Sequence, residues 1–280
     1  MRRRQTLKTP LTYAVLGLAV IMTLIPLLWG VASSLRKDSE LFKYATPFSA
    51  KTLVPQQPTF AAYVRLFTEF DFQRPIMNTL IVSALTIIFG CLVNSVAAFA
   101  FAVFDFRFKK TIYAFVLMSF MIPFEAIALP LYNVADGLHM IDTRAGMIVP
   151  SVADGLVLFL FTQFFRELPK ELFEAARIDG AGWPTIFIRI VTPISVPVFI
   201  TAGLMIFMNQ WNSYLWPLLV ARSANVQVIQ TALAQFQAER TTLWSCLYAG
   251  SMVSALIPLV FFLPLQKYFI QGITSSGIKG

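Results

Sequence analysis

The sequence predicts an all-α membrane protein that crosses the bilayer six times, with both termini on the cytoplasmic side. Three observations carry this reading. The 280 residues are 57% hydrophobic and only 13% charged, with mean hydropathy +0.70, whereas a soluble domain carries about 25% charge. Six apolar stretches each reach the roughly 20 residues that a spanning helix needs. Lys and Arg collect in alternate connections between them, as expected of loops retained on the cytoplasmic side.

The first stretch, 11–35, follows Arg2, Arg3 and Arg4. It is longer than the roughly 7–15 residues of a signal-peptide core and has no prompt cleavage site, so it reads as a retained first helix. The connection 36–76 is long and lies outside. Within it Phe60, Tyr63, Val64, Phe67 and Phe70 recur at helical spacing. They fit either an amphipathic helix lying on the outer membrane face or a loop with a small apolar staple.

The remaining spans are 77–101, 111–135, 145–165, 195–219 and 246–266. Each is far longer than a strand, and lipid requires the self-satisfied backbone that a helix supplies. Pro123, Pro130, Pro217, Pro258 and Pro264 predict kinks or breaks. With the N-terminus inside, about 13 of the 22 basic residues fall on the cytoplasmic side. The +8 net charge is therefore read as cytoplasmic retention rather than nucleic-acid binding. The chain reads as one transmembrane domain, 1–280.

Chemistry is sparse. Cys91 and Cys246 stand far apart, and His139 is the one histidine, so no multi-His or Cys/His metal site is expected and no cofactor is implied. His139, near Asp136 and Asp142, has no nucleophile placed against it, which argues against a membrane-embedded enzyme. No G-x-x-x-x-G-K-[ST] pattern occurs, so ATP chemistry lies elsewhere.

The inner loop 167–192 is the most informative segment. Pro169 suits a first helical turn, and Glu171 and Glu174 sit near the positive end of the helix dipole. Leu168, Leu172, Phe173 and Ala176 form an apolar stripe, and Gly180 is a left-handed stop. A second short helix is expected near Trp183-Pro184. Ala175 and Ala176 are small enough to let a partner approach closely. Taken alone, this is also the pattern of an amphipathic helix resting on lipid headgroups.

The residues Glu174, Ala175, Ala176, Asp179, Gly180 and Ala181, with Phe187, Ile190, Pro193 and Pro197, give E-A-A-x-x-D-G-A…F-x-x-I-x-x-P-x-x-x-P. This resembles the cytoplasmic coupling loop of ABC importer permeases. Thr192 departs from the leucine that many such permeases have before the first proline. Asn209-Gln210-Trp211-Asn212-Ser213-Tyr214-Leu215-Trp216-Pro217-Leu218 is similar to the fifth-span signature of the maltose and glycerol-phosphate type. Asn78-Thr79, the run from Ala97 to Phe101, Pro130-Leu131-Tyr132 and the ending from Gln266 through Gly272 to Gly277-Ile278-Lys279-Gly280 extend the likeness.

The resemblance implies a type I ABC importer permease fold and the shorter, six-span permease of a binding-protein-dependent carbohydrate importer in a bacterial-type inner membrane. Its implied partners are a second homologous permease, two copies of a cytoplasmic ABC ATPase, an external solute-binding protein and membrane lipid, with no nucleic acid. It implies that Glu174, Ala175, Ala176, Asp179, Gly180 and Ala181 dock on the ATPase, toward which Lys279 and Gly280 can also reach. Polar residues within lipid are costly and mark functional positions. Glu125, Asp154 and Asn209 lie at similar depth, roughly 21 Å from the inner face at 1.5 Å per residue. With Gln210, Trp211, Asn212 and Tyr214 they form an expected polar layer for a carbohydrate or polyol. The same amides also suit bridges between helices, as does Asn94. The outer segment 221–245, with Gln227, Gln230, Gln235, Gln237 and Thr241, is either a contact for the binding protein or a solvated loop. A secondary transporter driven by an ion gradient is the alternative, with Glu125 or Asp154 carrying the coupling ion.

Overall fold

The computed structural model describes residues 3–43, 50–237 and 242–275. Thr241, Lys279 and Gly280, named above, lie outside them. The described residues form helices and turns, with one isolated bridge between Gln237 and Thr242. The helices are α1 (Arg3–Ser34), α2 (Ala50–Leu53), α3 (Ala61–Thr68), α4 (Gln73–Val103), α5 (Lys109–Ser119), α6 (Phe124–Gly137), α7 (Arg144–Ile148) and α8 (Gly155–Arg166). They continue as α9 (Lys170–Ile178), α10 (Trp183–Ile186), α11 (Thr192–Ile194), α12 (Val196–Asn212), α13 (Leu215–Val220), α14 (Ile229–Gln235) and α15 (Trp244–Ser275).

Among the described residues, three helices are long and apolar enough to cross a membrane: α1 over Thr12–Ser34, α4, and α15 over Trp244–Lys267. Three bent pairs raise the number to six. The bends are 94° between α5 and α6, 44° between Arg144–Ser151 and α8, and 81° between Trp183–Ile194 and α12. Breaks thus fall within the stretches 111–135, 145–165 and 195–219, as Pro123 and Pro217 predict for the first and last of them. Pro123 ends one helix and opens the next, because its ring blocks the preceding turn and it has no N–H. Asp154 restarts α8 as its N-cap, with its carboxylate accepting from the N–H groups of Leu156 at 2.8 Å and Val157 at 3.0 Å. The fifth stretch stops at Asn212 and resumes at Leu215. Pro130, Pro258 and Pro264 stay inside continuous helices.

The chain divides into two compact units. One comprises Met1–Gln73 with Ala232–Leu256. There Arg36 is buried, and its guanidinium donates to the carbonyls of Lys51 and Thr52. Tyr63 donates to Ser34 Oγ at 2.8 Å, and the Asp38 carboxylate accepts from the Ser245 N–H at 2.7 Å, capping the start of α15. Of the two readings for Phe60 to Phe70, a helix or a stapled loop, the structure has a helix, α3. It buries Ala62 and Leu66, while Phe60, Val64 and Phe67 face outward.

The other unit comprises Arg74–Thr231 with Ile257–Gly280. It has one apolar core around Phe99, Phe161 and Val198 and another around Trp216, Val82 and Met147. Asn94 bridges helices as its residue type suggests: Nδ2 donates to the Val152 carbonyl at 2.8 Å, and Oδ1 accepts from the Asp154 N–H at 3.2 Å. Asn78 and Thr79 tie down the segment 225–229. Asn78 Nδ2 donates to the carbonyls of Asn225 and Gln227, its Oδ1 accepts from Arg144, and Thr79 Oγ1 accepts from the Ile229 N–H.

Asp142 closes a neighbouring turn. It has φ +59°, donates its N–H to the Val220 carbonyl, and accepts the Ser223 N–H at 2.8 Å. The Ser223 backbone N–H, then the Ser223 hydroxyl, holds this carboxyl below its usual range. A depressed folded-state pKa contributes stability above the unfolded value near 3.9 that is lost as pH falls through the folded value. Asp142→Asn tolerates the left-handed backbone. It is expected to lower the melting midpoint in detergent at about pH 6 and to lower it by less at about pH 3. An equal deficit at both pH values would contradict the assignment.

Candidate functional site: an exposed loop helix and a polar cavity

The helix α9 ends in a Schellman motif, and the E-A-A-x-x-D-G-A residues occupy its positions. Gly180 takes φ +82°, its N–H donates to the Arg177 carbonyl at 3.1 Å, and the Ala181 N–H reaches the Ala176 carbonyl at 2.9 Å. Ala176 and Ala181 pack against the same core. Small side chains are needed there because the chain folds back on itself. Ala176, a member of the expected apolar stripe, is buried against the protein's own core. Glu174, Ala175, Asp179 and Gly180 are exposed.

The expected apolar stripe is revised. Phe173 and Ala176 are buried, whereas Leu172 faces outward. Pro169 sits at the N-cap rather than in the first turn. Ile178 is 86% exposed at the end of α9. Sequence reading passed over it, although an isoleucine between Arg177 and Asp179 was visible as an apolar residue off the stripe.

An aromatic cluster fixes this helix to the spans. The ring of Phe99, near the end of α4, lies 5.2–6.3 Å from Phe104, Phe165, Phe173, Trp183 and Phe187, mostly edge-on. Arg177 stacks over Trp183 at 5.2 Å. A displacement of α9 is therefore felt by α4, α8 and α10 together.

The second feature is a cavity of about 460 Å³ at three breaks that hydropathy did not reveal: α5–α6, the one before α8, and α12–α13. Ser119, Phe120 and Phe124 line it from the α5–α6 break. Ser151 and Asp154 line it from the break before α8, and Asn209, Gln210, Ser213 and Tyr214 from the end of α12. Irregular backbone at membrane depth is tolerated where it lines a watery space. Trp216 closes one side, donating to the Gly146 carbonyl at 2.9 Å with its ring edge-on to Phe124. The lining offers amide and hydroxyl donors and acceptors beside aromatic faces, a set suited to a polyhydroxylated solute. Among the described residues no His, Cys, Asp or Glu cluster could hold a metal.

Of the expected polar layer, the cavity brings together Asp154, Asn209, Gln210 and Tyr214. Asp154 contributes mainly as a helix cap, with one carboxylate oxygen committed to two N–H groups. Glu125 is exposed in the first turn of α6 and is not part of the lining. Trp211 is 1% exposed and stacked on Phe207, and its carbonyl accepts from Gln230; it lies behind the lining. Asn212 turns its amide back to the Met208 carbonyl at 2.8 Å. Ser119, Ser151 and Ser213 were missed, and each sits beside a break.

The sequence profile of the family described as "Binding-protein-dependent transport system inner membrane component" matches residues 94–274. The arabinooligosaccharides transport system permease protein AraQ of Bacillus subtilis is 31% identical over 261 residues, 93% of this chain and 92% of AraQ. The sn-glycerol-3-phosphate transport system permease protein UgpE of Shigella flexneri is 31% identical over 274 residues, 95% of each chain. A chain in the crystal structure of a bacterial ABC transporter for import of the acidic polysaccharide alginate superposes with TM-score 0.82 at 20% identity, covering 96% of this chain and 99% of that one.

Proposed function

The chain belongs to the family of binding-protein-dependent transport system inner membrane components, and from that premise we propose that it is the shorter of two paired permeases in an ATP-driven importer of a carbohydrate or related polyol. It is a transport subunit rather than an enzyme, and ATP hydrolysis belongs to partner subunits, as in its permease relatives. The convergence of the α5–α6 break, the break before α8 and the α12–α13 break on one polar, aromatic-walled cavity carries the solute assignment. Broken helices meeting near mid-membrane are a recurrent way to build a transport site.

In this reading both termini are cytoplasmic and the chain sits in a bacterial-type inner membrane. Glu174, Ala175, Asp179 and Ile178 present the docking face for one of two ATPases, and Ala176, Gly180 and Ala181 give that face its shape. Closure of the ATPases pulls α9, the spans rock, and the cavity opens toward the binding protein. Gln227 and Gln230 fall on the outer side, where Asn78 and Thr79 hold the segment 225–229 in place. The gradient-driven alternative has no comparable support from relatives.

The test is purification of the tagged full chain from native membranes in mild detergent, with mass spectrometry of what accompanies it. Wild type is expected to bring an ABC ATPase and a second permease. Burying an isoleucine contributes about 1.5–3 kcal/mol, so Ile178→Asp is expected to lower ATPase recovery at least tenfold. The exposed side chain has little to lose within the chain itself, so the second permease is retained. Wild-type chain recovered alone from several detergents, together with uptake that survives ATP depletion, would instead support the gradient-driven transporter.

A further inference from the structure

The segment joining the loop helix to α12 contains a wide turn that the sequence did not announce. After α10, residues Phe187–Val191 form a π-helical turn, and the Thr192 N–H donates to the Phe187 carbonyl five residues back. The Thr192 hydroxyl donates to the same carbonyl at 2.9 Å. Pro193 accounts for the widening. Its ring would clash with the carbonyl four residues earlier in a regular α-helix, and it has no N–H to give. One extra residue in the turn removes the clash, and such bulges recur at functional positions.

The turn sits at a mechanical junction. On one side the Phe187 ring packs 5.2 Å from Phe99, in the aromatic cluster that holds α9. On the other, the Ser195 N–H donates to the carbonyls of Val191 and Thr192, and the chain then bends by 81° into α12, which ends at the polar cavity. We propose that the Phe187–Val191 turn, closed by the Thr192 hydroxyl, is the stiff joint through which movement of α9 is delivered to α12, and that Thr192 is a positioning residue for coupling. This role rests on the importer reading above.

The experiment uses the whole importer in proteoliposomes with its loaded binding protein, reading solute taken up per ATP hydrolysed and ATPase rate with and without that protein. Thr192→Val keeps the branched shape and removes the hydroxyl; Thr192→Ser keeps the hydroxyl. Thr192→Val is expected to lower uptake per ATP by roughly two- to tenfold, the range one net hydrogen bond spans. Its idle ATPase rises, and Thr192→Ser stays near wild type. Melting midpoints and ATPase recovery serve as controls that a loss of folding alone would move. An unchanged ratio in Thr192→Val, or equal loss in both variants, overturns the joint. A wild-type assembly whose ATPase ignores the binding protein would count against the importer reading instead. If Thr192→Val does not assemble, Thr192→Leu takes its place with the same expectations.

Discussion

Phe99→Ala is expected to lower stability by about 3–5 kcal/mol, the usual cost of deleting a buried aromatic ring. Total stabilities are typically about 5–15 kcal/mol, so the loss is severe. The ring meets five aromatic neighbours drawn from the end of α4, α8, α9, α10 and the wide turn. Removing it opens a void that these rigid rings cannot close without moving the backbone that carries them. The damage is therefore functional as well as thermal: α9 loses its seat, and ATPase recovery falls with the melting midpoint. Phe99→Leu keeps apolar volume at the centre and costs less. Phe115→Ala, removing a ring that is 65% exposed, is the control and is expected to change the midpoint little. Thermal unfolding in detergent, followed by tryptophan fluorescence, reads all three. Equal midpoints for Phe99→Ala and Phe115→Ala would show that the cluster does not anchor the loop.

The helical class was legible because stretches of 20 apolar residues leave little else in lipid. The breaks were only partly legible. Pro123 announced one and Pro217, whose ring excludes a helical turn back to Ser213, another, but Asp154 breaks its helix without such a proline, and a hydropathy average runs straight across two or three polar residues. Those same residues line the cavity, so averaging hid the site together with the break. Depth along a helix also says nothing of direction around it. At 3.6 residues per turn Trp211 stands about 200° from Asn209, which is why it is packed on Phe207 while Asn209 faces the cavity. Asn212 lies nearer Asn209 in angle, but the helix ends there and its amide serves the Met208 carbonyl. The Phe99 cluster was hidden for another reason. With 27 phenylalanines in the chain, composition does not single out the one at the centre.

The loop motif was legible because each residue type answers a geometric demand, and Gly180 answers the strictest. Its φ of +82° lies far from the proline value near −65°, and its N–H is one of the two bonds that close the Schellman turn. Gly180→Pro therefore loses the conformation and the bond together. It is expected to cut ATPase recovery and ATP-driven uptake below about a tenth of wild type, a loss of more than about 1.4 kcal/mol at the docking face. A Cβ at this position meets nothing within 4 Å, so Gly180→Ala is strained only in its backbone, by about 1–2 kcal/mol. It is expected to transport measurably, and Gly180→Asn, which accepts the left-handed region more readily, to exceed it. The order Gly, Asn, Ala, Pro then ranks the variants by the cost of left-handed backbone and not by size or polarity. That ranking separates a turn that must hold its shape for a partner from a glycine kept merely to leave room. If Gly180→Pro recovers the ATPase as well as wild type does, the turn's shape is irrelevant to docking, and the exposed side chains of Glu174, Ile178 and Asp179 must carry recognition without it.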